Sequence, residues 1–106
     1  MLNPFFVWQN KVLKRIDPGQ VMCLYTVGNY TKIFLADHTH YMVRTSLSGA
    51  LKKLPPDIFI KIHRSLVASI YFIDHIASDH LIIGGESVPV GRQYYKTVIR
   101  KLNIIE

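Results

Sequence analysis

The chain has 106 residues, with thirteen Lys and Arg against seven Asp and Glu and a net charge of +6 at neutral pH. That length supports one hydrophobic core and leaves no room for a separate catalytic domain. The basic balance, with a pI near 9.6, favours a polyanion such as DNA, although a merely soluble basic surface would look the same. Cys23 is the one cysteine, which excludes an internal disulfide and a disulfide-stapled secreted fold and fits a cytoplasmic protein. Lying in the apolar run 21–24, it reads as a small core hydrophobe. The stretch from Met1 to Trp8 lacks the basic start and long apolar segment of a signal peptide. No apolar run approaches the roughly 18 to 20 residues of a membrane span, so no membrane partner is expected.

In chain order, residues 5–9 and 12–16 read as strands flanking Asn10 and Lys11 in a tight hairpin. Asp17, Pro18 and Gly19 make a turn, with Pro setting its own φ and Gly tolerating a positive one. Strands over 21–27 and 30–36 form the clearest hairpin, joined by Gly28 and Asn29, a pair suited to the positive φ of primed turns. After Asp37, His38 and Thr39, the alternation of Tyr41 and Val43 predicts a strand over 40–44. Thr45 or Ser46 can cap a helix over 47–54, where Leu47, Leu51 and Leu54 make one stripe and Pro55 and Pro56 stop it. This helix reads as packing against the sheet, and Lys52 and Lys53 complement its dipole.

In the next segment, Phe59, Ile60, Lys61, Ile62, His63, Arg64, Ser65, Leu66 and Val67, three polar, phosphate-capable residues interrupt an apolar run. A strand with one buried side, Phe59 on that side and Lys61 on the other, is expected to end where the polar residues begin. His63, Arg64 and Ser65 would then be presented from a short loop on a rigid sheet. Apolar residues continue over 66–76, Ser78 and Asp79 turn the chain, and strands 80–83 and 87–90 flank Gly84 and Gly85, a second hairpin signal. An amphipathic helix over 92–102 ends the chain, with Tyr95, Val98, Ile99 and Leu102 on one face and Lys96, Arg100 and Lys101 on the other. No repeat or linker divides it, so residues 1–106 read as a single, mainly β domain with two short helices.

Three basic elements stand out: Val27, Gly28, Asn29, Tyr30, Thr31 and Lys32; then His63, Arg64 and Ser65; then the junction Val88, Pro89, Val90, Gly91, Arg92, Gln93, Tyr94, Tyr95 and Lys96. In order and spacing they resemble the LytTR family of bacterial transcription-factor DNA-binding domains, whose pattern couples an FxxIHRS strand end to a downstream P-V-S-R-x-Y strand-to-helix junction. The resemblance covers about residues 17–102. It implies elongated antiparallel sheets and sequence-specific binding of double-stranded DNA, at repeated promoter sites, from loops rather than by an inserted recognition helix. It also implies a homodimer on DNA and a receiver domain or sensor partner outside this chain, and it implies no cofactor. Three positions depart from the pattern: Ala68 where Asn often stands, Gly91 in place of Ser, and Leu24 with Tyr25 in place of an Ile-Glu pair.

Arg64 is the strongest base-reading candidate, since a guanidinium bonds bidentately to guanine or forks onto a phosphate; a structural salt bridge is the alternative. Ser65 can bond a phosphate or cap a following helical turn with the same oxygen. His63 points away from Arg64 in an extended chain and either orients the loop or touches DNA. Arg92, at the expected start of the last helix, puts a cation at the positive end of the dipole, which an external anion would offset. The resemblance places a DNA-contacting Arg at the same position. Lys96, one turn on, is a phosphate contact or a solvated residue. Asn29, Tyr30 and Lys32 crown the first clear hairpin, from which family members contact DNA; for Asn29 the alternative is a residue kept for its turn geometry.

Enzymatic readings fare poorly. His38 and His40, taken as lying on one side of a strand, could share a metal with His63, His75 or His80, but no carboxylate or Cys spacing completes a site. Ser65 with His63 lacks the Gly-rich elbow and orienting acid of a nucleophilic pair. The remaining alternative is a small basic β-rich module for acidic protein or lipid headgroups. Salt-dependent, sequence-discriminating binding of duplex DNA separates the two.

Overall fold

The computed structural model describes residues 3–106; Met1 and Leu2, within the stretch considered for a signal peptide, lie outside the described residues. Alternating apolar residues and two-residue turns build the first ribbon, β1 (Phe5–Gln9) with β2 (Val12–Ile16). Asn10 and Lys11 between them take φ of 50° and 65°, the left-handed pair a primed hairpin turn requires. Five further strands, β3 (Val21–Val27), β4 (Tyr30–Leu35), β5 (His40–Val43), β6 (Phe59–His63) and β7 (Leu66–Ser69), form an antiparallel sheet in the order β5-β4-β3-β7-β6. Between β5 and β6 lies α1 (Leu47–Leu51), capped by Ser46, whose side-chain oxygen accepts from the Gly49 N–H. A third sheet, order β10-β9-β8, contains β8 (Ile73–Ile76), β9 (His80–Ile83) and β10 (Glu86–Pro89), and α2 (Tyr95–Lys101) closes the chain.

The five-stranded sheet has a core on each face. On one, Leu24, Ile33, Phe59 and Val67 pack with Leu47 and Leu54 from the α1 segment and with Val7 and Ile16 from the ribbon. On the other, Ile60, Ile62 and Ala68 meet Leu81 and Ile83 of the third sheet and Val98 of α2. Each of the larger side chains, Phe59, Ile60 and Ile62 among them, contributes about 1.5–3 kcal/mol on burial, so β6 is anchored from both sides. The layers extend over 47 × 32 × 24 Å, the elongated, mainly β arrangement that was expected. Among the described residues no helix is long and apolar enough to cross a membrane.

Several expectations need correction. The strand β6 does not have one buried side. The two-residue period puts Lys61 on the side of Phe59, while Ile60 and Ile62 are buried on the other. Nor does it end before the polar residues, since His63 is its last residue and pairs with Leu66, leaving Arg64 and Ser65 as a two-residue turn. The first helix stops at Leu51, four residues before Pro55, its end drawn into tighter turns by Lys53 N–H to Ala50 O and Leu54 N–H to Leu51 O. The second helix begins at Tyr95 rather than Arg92, because residues 92–94 form a turn closed by Tyr94 N–H on Gly91 O. Asp17 to Gly19 lead into a 3-10 turn, Pro18–Gln20, in which Gly19 does not use a positive φ. The apolar run 66–76 is broken by a second 3-10 turn, Ile70–Phe72, where the Ser69 hydroxyl accepts from the Tyr71 N–H. Cys23 is half-buried beside the second core rather than within it.

Candidate nucleic-acid interface

The β6–β7 turn sits where three other connections converge. Arg64, exposed at its tip, lines one crevice with His63, Gly91, Arg92, Gln93 and Tyr94. It also lines a second, with Asn29 and Tyr30 of the β3–β4 turn, Ser46 and Ser48 of the α1 entry, and Lys61. Backbone bonds fix this convergence: Gly91 N–H donates to Ile62 O at 2.8 Å and Thr26 N–H to Ser65 O at 3.1 Å. The buried Thr31 hydroxyl donates to Thr45 O at 2.8 Å, holding the α1 entry against β4. Gly91 lets the Tyr94 ring close over the junction, since a Cβ there would lie 2.7 Å from Tyr94 Cδ2. The Lys61 ammonium stands 5.9 Å from the centre of that ring, within cation–π reach.

His63 turns back on its own loop. Its Nδ1 accepts from Ser65 N–H at 3.2 Å and lies 3.1 Å from Ser65 Oγ, so the imidazole orients the turn. Accepting from a backbone N–H requires Nδ1 to be unprotonated, which leaves any ring proton on Nε2. Ser65 caps no helical turn, because β7 follows it directly. A register shift between Lys61 and His63 against β7 marks an irregularity of the bulge kind, which re-aims the side chains at the strand end.

The sequence-derived candidates are only partly brought together. Arg64, His63, Arg92, Asn29 and Tyr30 line the two crevices, while Lys32 and Lys96 do not. Lys32 pairs with Tyr25 on the sheet face opposite α1, its ammonium 5.7 Å from the Tyr25 ring centre. Lys96 is exposed on α2 and accepts, through its carbonyl, from Arg100 Nε at 3.4 Å. Arg92 precedes α2 by three residues, so it does not stand at the dipole's positive end as expected. Asn29 does not take a positive φ; in its turn only Gly28 does, at 58°, the pattern of a type II′ hairpin turn, in which a Gly-Asn pair is at home. Among the described residues neither Arg64 nor Arg92 has an acidic partner at ion-pair distance, the pair observed being His80 with Asp79 at 2.8 Å. The salt-bridge alternative for Arg64 is therefore unsupported. His38 takes a φ of 72° in the turn before β5 rather than sharing a strand side with His40, and no three His, Cys, Asp or Glu among the described residues could hold a metal.

Sequence reading missed Lys61, Ser46 and Ser48. Lys61 could have been found by applying the period of two from Phe59, which puts it on the α1 side of the sheet. Nothing local marks the two serines as neighbours of Arg64.

The LytTr DNA-binding domain family matches residues 11–103. The sensory transduction protein LytT of Bacillus subtilis (strain 168) is 30% identical over 95 residues, 84% of this chain; the chain spans only 39% of that relative's length. A solved LytTr DNA-binding domain from Bacillus cereus superposes with a TM-score of 0.80 at 23% identity, covering 95% of this chain and 97% of the other, so the two share a fold.

Proposed function

Because the chain belongs to the LytTR family of DNA-binding domains, which are not enzymes, we propose that it reads a specific duplex sequence as the output domain of a bacterial response regulator acting in the cytoplasm. The observation that carries this reading is the position of Arg64. Exposed and without an acidic partner among the described residues, it forms the wall common to two crevices, with Arg92 in one and Lys61 in the other. Guanidinium groups on short, sheet-anchored turns suit bidentate contact with guanine O6 and N7 in a major groove. Asn29 has the donor and acceptor to pair with adenine, and Tyr30, 41% exposed, offers a hydroxyl to phosphate. Lys61, Ser46 and Ser48 are the phosphate contacts of the crevice between, with Ser65 and His63 holding the turn. Lys32 and Lys96, off the convergence, contribute long-range attraction. Repeated promoter sites, pairing of two copies on DNA and a receiver or sensor partner complete the proposal.

The test is selection of bound duplexes from a random pool, followed by competition titrations of Arg64→Ala and Arg92→Ala against single-base variants of the selected site. Each substitution should cost about 1–3 kcal/mol on the cognate site and flatten discrimination at particular base pairs. Wild-type affinity in both folded variants would refute the proposed binding face.

A further inference from the structure

On the far side of the β6–β7 turn, a cleft opens between the sheet face opposite α1 and the β9–β10 hairpin. Its floor is apolar, formed by residues such as Leu66, Ile83 and Val88. Tyr25, Phe34, His38 and His63 bring four aromatic rings to it, those of Phe34 and His38 packed edge to face with centroids 6.0 Å apart. Glu86 is its one carboxylate, and among the described residues it has no cationic partner at ion-pair distance. Aromatic faces beside an unpaired carboxylate attract organic ammonium groups, through the ring quadrupole and through charge. The Tyr25 ring already draws the Lys32 ammonium to 5.7 Å. We propose that this cleft is a binding site for a small organic cation with an apolar body, such as an aromatic or quaternary amine, seated between Tyr25, Phe34 and Glu86.

The site is also placed to act on the turn. His63 and Ser65, whose mutual hydrogen bonds shape the β6–β7 turn, form one end of the cleft, so an occupant touches the residues that set the direction of Arg64. That coupling rests on the DNA-binding reading above; cation binding itself does not, and it is measured without DNA.

The test is a titration of the isotope-labelled chain with benzyltrimethylammonium, followed by amide shifts, with benzoate and benzyl alcohol as anionic and neutral controls. The cation should shift amides around Tyr25, Phe34 and Glu86, and the controls should bind about tenfold more weakly or not at all. Glu86→Gln, isosteric at an exposed strand start, should weaken binding about tenfold. Lys32→Met, which removes the internal competitor for Tyr25, should strengthen it. Equal binding of the controls, shifts spread over other carboxylates, or unchanged affinity in folded Glu86→Gln would each overturn the site. With the probe saturating, affinity for a selected duplex should change about fivefold or more, the lower end of the usual range of allosteric coupling. Localised shifts with unaltered duplex affinity would overturn the coupling.

Discussion

Replacing Gly91 by Ala sets two opposed terms against each other at the binding end. A Cβ at this position would lie 2.7 Å from Tyr94 Cδ2 and 3.3 Å from Cε2, but 3.7 Å from His63 Cα. The first distance is well inside van der Waals contact, and the last is ordinary. Gly91 does not use a positive φ, so no backbone strain enters. Overpacking against the ring costs about 1–3 kcal/mol, while the stiffer unfolded chain returns about 0.4–1 kcal/mol. Because the half-buried ring can rotate partly aside, the net should be a destabilisation of about 1 kcal/mol, or about 4–8 °C in Tm for a chain of this size. In a Tyr94→Ala background the overpacking disappears, and the same substitution should stabilise by about 0.5 kcal/mol. Chemical denaturation of the four proteins forms a double-mutant cycle that isolates this change of sign. Equal cost in both backgrounds, or stabilisation of the parent, would refute the reasoning. Gly91→Ser, the residue of the family pattern, carries the same Cβ and should behave alike. In the parent background the displaced ring should also weaken duplex binding, since Tyr94 lines the crevice between Arg64 and Arg92.

Duplex affinity should fall linearly in a log–log plot against salt, and Lys61→Ala should reduce the slope by about one unit, as loss of a single phosphate contact does; an unaltered slope would place Lys61 off the DNA. Thr31→Val keeps shape but removes the buried hydroxyl that holds Thr45 O, and should cost about 1–3 kcal/mol in denaturant melts, with amide exchange rising over residues 45–48. Burial, helped by the Glu86 charge, raises the Cys23 thiol from 9.0 to about 11. A raised thiol pKa contributes stability that is present below the unfolded value and lost as pH rises through the folded one. The parent should therefore lose more stability than Cys23→Ala between pH 9 and about 11, as read from paired melts.

Legibility in the sequence followed the turns. Asn10 with Lys11, Gly28 with Asn29, and Gly84 with Gly85 each interrupt alternating apolar residues at two-residue spacing, and all three hairpins form there. Local chemistry is sufficient where a turn needs left-handed residues and its flanks need a buried face. It was insufficient where burial came from two layers at once. The strand over Phe59–His63 was read as one-sided because the partner of Ile60 and Ile62, the third sheet with α2, begins only about ten residues further along the chain and ends at its far end. The start of α2 was misplaced for a similar reason: residues 92–94 have helical spacing, but Gly91 N–H is held by Ile62 O and Tyr94 closes a turn on Gly91. The site itself was half legible. Residue types singled out Arg64 and Arg92 as candidates, and the two line one crevice, while the neighbours Lys61, Ser46 and Ser48 depend on sheet register, which brings 29, 46, 61 and 64 to a second crevice without any local sign.

On the proposed function, that register would also let an arginine, with its long flexible stem, discriminate between bases from this position. Recognition energy is reduced by whatever must be ordered on binding. Here the backbone beneath Arg64 is ordered already: Phe59 is sunk in one core and Ile60 and Ile62 in the other. The turn is tied to β3 through Thr26 and Ser65, the strand to the Gly91 junction through Ile62, and His63 closes the loop on Ser65. What remains to be fixed on the DNA is the side chain alone, at roughly 0.5–1.5 kcal/mol for an immobilised rotamer-rich residue, below the upper part of the 1–3 kcal/mol range that a bidentate base contact discriminates. A lysine on the exposed face of α2, such as Lys96, has no comparable surroundings and offers a single point charge. The proposal therefore gives specificity to the turn and its neighbouring junction, and general affinity to the scattered lysines.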